Sequence, residues 1–280
     1  MPGRRLIVIT AASMLLCGCA SSGRPTVTAD RTQAIEAALR LWSGFPAGSS
    51  PRPLVLAGPE IIDPTSGFRN GDDKEAYVYG NFTVATTLPG DSPTWHQQRL
   101  LTATQALADL SRRDLSTPPS KATLAITAAR LGTATFATDR GQRTLPAWQF
   151  SFTGVRDVAS VLAIAPSDRW PKVSPPPTDT GNLAASIAPG GDSVTLTFTG
   201  GPADPGPCQT NYQANPFQSG SAVLITITEL PGDTTQSTYS ADHPLACNGM
   251  GYRRSVTIKL DPVLAGRVLI DSYGAPLPAD

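Results

Sequence analysis

Alternation of apolar and polar residues is the strongest pattern in the chain, and it recurs in two regions. In the first, Trp148, Phe150 and Phe152 alternate with other residues within the segment TLPAWQFSF. In the second, the segments DSVTLTFTG, SAVLITITE and RRSVTIKL repeat the same period of two. Successive side chains of a strand point to opposite faces, so this alternation predicts strands with one buried and one solvated face. Such strands favour antiparallel pairing.

Two other segments space their apolar residues at three and four positions, which predicts helices. The first helix is predicted to begin at Asp30, a favourable residue for a helix N-terminus. The second is predicted to run from Ser92, which is followed by a proline, to about Arg113. Between them, residues 60–75 are rich in turn-forming residues and predict a loop. Residues 76–88 are rich in Tyr, Val, Phe and Thr and predict a strand.

Prolines divide the chain into two parts. Five of them lie within PSDRWPKVSPPPTDTG, residues 166–181. Proline fixes φ and has no amide donor, so we expect this segment to be a linker that no sheet crosses. The sequence therefore predicts an α+β protein of two domains. Residues 30–165 are expected to place two helices on an antiparallel sheet, and residues 182–280 to form a small all-β sandwich or open barrel.

The first residues of the chain have the composition of an export signal. MPGRR is basic, LIVITAASMLL is an apolar run, and small residues surround Cys19. The apolar run is too short to cross a bilayer, which takes about 20 residues. Residues 1–18 are therefore predicted to be a cleaved signal peptide. Residues 19–29 are small and polar, which predicts a flexible tether.

The segment Leu16-Cys17-Gly18-Cys19 resembles the bacterial lipobox. The resemblance implies that Cys19 is diacylated on sulfur, with chains such as palmitate, and becomes the first residue of the mature protein. The protein would then be anchored by lipid to the outer face of the cell membrane. Two alternatives stay open: a metal-binding or redox Cys-x-Cys pair, and simple cleavage that releases a soluble secreted protein.

A wider resemblance covers much of the mature chain. The segments that carry it include RPLVLAGPEIIDPTSGFRNGDDKEAYVYG, TLPAWQFSF, GPCQTNY and GYRRSVTIKLDPVLAGRVLIDSYGAPLP. They resemble segments of uncharacterised actinobacterial lipoproteins and secreted proteins. The resemblance implies an extracytoplasmic location and implies no particular activity.

The two remaining cysteines, Cys208 and Cys247, lie in segments rich in Pro, Gly and Asn. An exported protein folds in an oxidising compartment, where two cysteines in the loops of one small domain most simply pair. The sequence therefore predicts a disulfide between them. A metal site is the alternative, for which only Asp242 and His243 lie nearby in the sequence.

Charge narrows the class of partner. The formal net charge of the whole chain is zero, and removal of residues 1–18 takes away two arginines and no acid, leaving −2. Without a basic excess, nucleic acid is not an expected partner. The expected partners are the membrane, through Cys19, and a protein or another component of the cell envelope.

Candidate catalytic residues are few. One loop is rich in oxygen-bearing side chains, which are the ligands that Ca²⁺ prefers. Solvated turn residues explain its composition better than a Ca²⁺ site does. The loop contains Asp63, Asn70, Asp72, Asp73 and Glu75. The pair Asp242-His243 lacks an identifiable serine partner, and His96 is expected at the solvated start of the second helix. The aromatic residues at 148, 150 and 152 could line a sugar or lipid groove, but this spacing is more typical of a core. No catalytic residue, metal ion or cofactor is predicted.

These observations favour one functional hypothesis over two others. The first is a non-enzymatic, membrane-anchored lipoprotein that binds an envelope component or a protein. The second is a solute-binding lipoprotein of a transporter, a class that usually has long alternating α/β lobes. The third is a cell-wall hydrolase, which the absence of the usual hydrolase motifs disfavours.

Overall fold

The structure, a computed structural model, describes residues 27–112, 121–170, 183–205, 208–230, 247 and 249–279. Its helices are α1 (Val27–Arg40), α2 (Gly71–Val78) and α3 (Ala103–Ser111), with a 3₁₀ helix at Pro166–Asp168. Its strands are β1 (Leu54–Val55), β2 (Ile61–Ile62), β3 (Phe82–Val84), β4 (Thr94–Trp95), β5 (Gln98–Arg99), β6 (Leu124–Thr138), β7 (Gly141–Phe152), β8 (Ala159–Leu162), β9 (Arg169–Trp170), β10 (Ala184–Ile187), β11 (Ser193–Gly200), β12 (Asn211–Gln218), β13 (Ala222–Leu230), β14 (Tyr252–Lys259) and β15 (Val268–Ile270). The fold is α+β with strands predominating in several small sheets, which confirms the α+β part of the prediction.

A five-stranded sheet organises the N-terminal part, in the order β2-β8-β7-β6-β3. Its strands pair antiparallel except β3, which runs parallel to β6. β6 and β7 form a long hairpin whose turn is Asp139-Arg140. α2 and α3 pack against this sheet, and their apolar side chains join one buried cluster with those of the strands. Trp148, Phe150 and Phe152 belong to that cluster, as their alternation predicted.

Two three-stranded sheets form the C-terminal part, in the orders β10-β11-β14 and β12-β13-β15. Val194 and Leu196 of the first sheet share a buried cluster with Val223 and Ile225 of the second. The two sheets therefore pack face to face as a sandwich, and no barrel occurs in the described part of the chain. Sequence reasoning missed β12, whose Pro216 argues against a strand; proline is tolerated here because β12 lies at a sheet edge.

α1 lies in a different place from the one predicted. Ile35 and Trp42, on or just after the helix, share a buried cluster with Leu224 of β13 and Ile270 of β15. The Trp42 indole donates a hydrogen bond to the carbonyl of Gly274 at 2.9 Å. The expectation that α1 covers the N-terminal sheet is therefore wrong. Its apolar stripe identified the helix, but an apolar stripe carries no information about which of two apolar surfaces it covers.

Charged contacts join the two parts. The Arg52 guanidinium pairs with the Asp139 carboxylate, which is 1% exposed, and Arg52 Nε donates to the carbonyl of Gly266 at 2.9 Å. Arg140 Nη2 donates to the carbonyls of Ala265 and Arg267, at 2.8 and 2.7 Å. Burial lowers the pKa of the Arg140 guanidinium, and the adjacent Asp139 carboxylate acts in the opposite direction. The turn of the β6–β7 hairpin is thus bonded to the sandwich.

The predicted linker is structured at its start. Residues 166–168 form the 3₁₀ helix, and β9 pairs in parallel with β1. Arg169 is buried and forms an ion pair with Glu60 at 2.6 Å. The first five residues of the predicted linker therefore have regular structure, and residues 171–182 lie outside the described part.

Local backbone chemistry explains two further differences. Residues 94–99 form a hairpin of β4 and β5, in which His96 and Gln97 both have positive φ, as a tight two-residue hairpin turn requires. The second predicted helix begins only at Ala103, where Thr102 and Gln105 form a capping box. Likewise, Asn70 caps α2 within the predicted loop, and the helix takes the first residues of the predicted strand 76–88.

Candidate functional site

The structure contains the disulfide that the sequence predicts. Cys208 and Cys247 form a disulfide with a Cα–Cα distance of 5.7 Å. Cys19, Asp242 and His243 lie outside the described residues. The disulfide is therefore a structural cross-link of the C-terminal part.

The acid-rich loop has local structural roles. Asn70 accepts a hydrogen bond from the amide of Asp73 at 2.8 Å and so begins α2. Asp73 forms an ion pair with Arg69 at 3.2 Å, and Asp63 accepts from the Tyr77 hydroxyl at 2.6 Å. Within the described part of the chain, no three His, Cys, Asp or Glu side chains are grouped to hold a metal ion.

His96 is at the tip of the β4–β5 hairpin and not at the start of a helix. Its ring contacts the Trp95 indole edge to face, with centroids 4.4 Å apart. Among the described helices, none has the length and apolarity that crossing a membrane takes.

One cavity in the described part of the chain lies beside α1, and we call it the α1 cleft. Its volume is about 350 Å³, and its lining is mostly apolar. α1, β13, the residue before β10 and the turn after β15 contribute the lining residues, which are Arg31, Ala34, Ile35, Leu183, Ile225, Thr226, Ile227, Asp271, Ser272 and Tyr273. This volume is at the lower end of the range for small-molecule sites.

The cleft exists because β15 is shorter than its partner strand. β15 pairs in parallel with residues 222–224 of β13 only. The chain then turns at Asp271, whose Oδ1 accepts hydrogen bonds from the amides of Tyr273 and Ala275 at 2.8 and 2.9 Å. Past Leu224, no described strand pairs with β13 on this side, and α1 borders the gap.

The face of β13 that α1 covers changes from apolar to polar along the strand. Ala222 and Leu224 belong to the buried cluster that includes α1. Thr226 and Thr228 continue the same face, because alternate residues of a strand point the same way. Thr228 Oγ1 accepts a hydrogen bond from Arg31 Nη2 at 3.3 Å. The cleft therefore opens where apolar packing gives way to this polar contact.

Thr226 has a buried hydroxyl without a hydrogen-bond partner. The residue is 6% exposed, and its Oγ1 has no protein partner within bonding distance. Leaving such a group unpaired costs about 1–3 kcal/mol, so native proteins contain few of them. Thr226 is among the residues that line the α1 cleft, and rotation of its side chain would turn the hydroxyl toward a ligand there.

Arg31 contributes positive charge at the rim of the cleft. Its side chain is exposed, and its hydrogen bond goes to a neutral hydroxyl. Arg31 forms no ion pair with a carboxylate of the described residues. The guanidinium is therefore available to an anion that enters the cleft.

A second cavity, of about 370 Å³, lies between the β10–β11 turn and the loop before β15. Arg140 borders it, but this guanidinium already donates to two backbone carbonyls. The Arg140 guanidinium thus holds the two parts of the chain together and is not free to bind a ligand. The α1 cleft is therefore the better candidate for a binding site.

Sequence reasoning did not identify the residues of the α1 cleft. Arg31 and Thr228 are separated by 197 positions, and no local pattern connects them. One weak signal was present in SAVLITITE, where threonine replaces apolar residues on one face of a strand whose first residues are buried on both faces. That signal marks the end of a packed surface and not the presence of a ligand.

Comparisons with protein-family models, curated proteins and solved structures find no match to this chain.

Proposed function

We propose that this protein is a membrane-anchored extracytoplasmic lipoprotein with a non-enzymatic binding role, and that its ligand occupies the α1 cleft. The observation that carries the proposal is the buried, unpartnered hydroxyl of Thr226, a residue that lines this mostly apolar cavity. A ligand with an apolar body and a polar group would satisfy that hydroxyl and cover the apolar lining. The same pattern, an apolar pocket with a few oriented polar groups, is typical of small-molecule sites.

The anchor is part of the proposal and is supported by sequence. The lipobox resemblance assigns the lipid to Cys19, and acyl chains contribute about 0.8 kcal/mol per buried methylene to membrane attachment. The eight residues before α1, residues 19–26, could span at most roughly 28 Å. The α1 cleft, which begins at Arg31, would then remain close to the membrane surface. The resemblance to actinobacterial lipoproteins fits this location.

Cell fractionation with labelled palmitate tests the anchor. Wild-type protein and Cys17→Ala should incorporate the label and stay in the membrane fraction. Cys19→Ala should incorporate none. Label on Cys19→Ala, or its absence from wild type, would refute the proposed lipidation.

A cavity-filling variant tests the binding role. Ala34→Phe places a ring in the α1 cleft, whereas Ala37→Phe places it on the exposed surface of the same helix. Thermal melts with 1-dodecanol, a neutral amphiphile, should show stabilisation of wild type and Ala37→Phe, and much less of Ala34→Phe. At 100 times the dissociation constant, binding raises stability by about 2.7 kcal/mol. Equal stabilisation of all three proteins would place the ligand elsewhere.

A further inference from the structure

We infer that the ligand of the α1 cleft is an anionic single-chain amphiphile, with a carboxylate or phosphate head group and one acyl chain. This inference rests on the proposed function, because it names the class of ligand that the same cleft takes. Its observations are the positive charge of Arg31 at the rim, the buried unpartnered hydroxyl of Thr226 and the apolar residues that line the same cleft.

The positions of Arg31 and Thr226 indicate the charge of the ligand's head group. Thr226 and Thr228 lie on the same face of β13, two residues and therefore about 7 Å apart along the strand. Arg31 Nη2 is bonded to the Thr228 hydroxyl. An anion between Arg31 and Thr226 accepts from the guanidinium through one oxygen and from the unpartnered hydroxyl through another. Charge-assisted hydrogen bonds of this kind are about twice as strong as neutral ones.

The apolar residues of the cleft indicate that the rest of the ligand is an acyl chain. Leu183, Ile225 and Ile227 are apolar residues of the sandwich side, and Ala34 and Ile35 are their counterparts on α1. A single chain fits the narrow gap between one helix and one sheet edge better than a ligand with several chains, given a volume of about 350 Å³. A ligand lying between these walls would bury apolar surface on both sides, which drives its association.

Asp271 also borders the cleft and is the residue that opposes an anion. Its carboxylate is 2% exposed, and Oδ1 accepts from two backbone amides of the turn that it begins. These bonds orient the carboxylate toward the backbone of residues 271–275. A cationic amphiphile, attracted by Asp271, is therefore the alternative that the experiment has to exclude.

Calorimetric titration with four probes of equal chain length tests the inference. The probes are dodecanoate, dodecyl phosphate, 1-dodecanol and dodecyltrimethylammonium, each kept below its micelle concentration. The protein is the full chain with Cys19→Ala, so that no lipid of its own competes, and with its disulfide intact. An anionic probe should bind at least tenfold more tightly than 1-dodecanol. The stronger of the two anions identifies the head group as carboxylate or phosphate.

Two variants connect the preference to the proposed residues. Arg31→Gln should remove most of the preference for the anion and leave 1-dodecanol binding unchanged. Arg40→Gln is the matched control, since Arg40 is exposed on the same helix outside the cleft, and it should bind like the parent protein. Thr226→Val should weaken anion binding several-fold.

The possible failures are distinct. If 1-dodecanol binds as tightly as both anions, the anionic class is wrong while the binding role of the cleft stands. Tighter binding of dodecyltrimethylammonium would reverse the sign of the inferred charge. If no probe binds, both the inference and the binding role of the cleft are refuted.

Discussion

Thr226→Val is the substitution whose effect on stability follows most directly from the structure. Valine has nearly the shape of threonine and replaces the hydroxyl with a methyl group. Because Oγ1 is buried and has no partner, the variant removes an unpaired polar group and loses no hydrogen bond. Unpaired buried groups cost about 1–3 kcal/mol, so we expect the ligand-free protein to become more stable by about 1 kcal/mol or slightly more.

Guanidinium chloride unfolding of the ligand-free protein measures this gain as a higher midpoint with an unchanged slope. Thr135→Val is a suitable control, because Thr135 is exposed on β6, where water can satisfy its hydroxyl. A surface substitution of this kind should change stability by less than about 0.5 kcal/mol. The difference between the two variants isolates the unpaired hydroxyl from the general preference of valine for strands.

A loss of stability in Thr226→Val, by about 1 kcal/mol or more, would refute this reasoning. It would mean that the hydroxyl is already satisfied in the free protein, and the argument for a ligand would lose its main support. A gain in stability together with weaker anion binding would instead show the exchange of stability for function that is common at binding sites.

Three further predictions concern other parts of the molecule. Reduction of Cys208–Cys247, which are 39 positions apart, should lower stability by about 4 kcal/mol on the chain-entropy model, measured by thermal melts with and without reductant; an unchanged melt would contradict it. Asp139→Ala should destabilise by about 3 kcal/mol in denaturant titration, because it leaves the Arg52 guanidinium without its carboxylate; a loss below 1 kcal/mol would show that the pair contributes little. Hydrogen bonds from Ser66 and Thr65 lower the pKa of Asp157 below its ordinary 3.8. The Asp157 carboxylate therefore stabilises the fold above pH 3.8, and this contribution disappears as the pH falls through the lowered pKa. Asp157→Asn should lose this part of the pH dependence of stability, and a pH profile identical to that of wild type would contradict the stabilising role of Asp157.

Strands with one buried face were predictable because their signal is local. β11, β13 and β14 each appear where alternation placed them, since a period of two is a direct consequence of strand geometry. Helix starts were less predictable, because several residues compete to cap. Ser92 has the right chemistry, yet Thr102 begins α3, where the reciprocal bonds with Gln105 are made.

The arrangement of the two parts was not predictable from one sequence. The stripe of α1 fits either apolar surface, and only the structure shows that β13 takes it. The Arg52–Asp139 pair and the Arg140 bonds to Ala265 join residues far apart in the chain. Prolines after residue 166 suggested separation, but proline composition describes the backbone of a segment and not the contacts around it.

The central claim is that the α1 cleft holds an anionic amphiphile, and an NMR titration tests it most directly. Dodecanoate is added to ¹⁵N-labelled protein while backbone amide shifts are recorded. The account predicts that the largest changes fall on Arg31, Ala34, Thr226 and Ile227, and that Arg31→Gln moves them to about tenfold higher dodecanoate concentrations. Changes concentrated instead around the second cavity, at residues 187–191, or spread evenly over the surface, would contradict it.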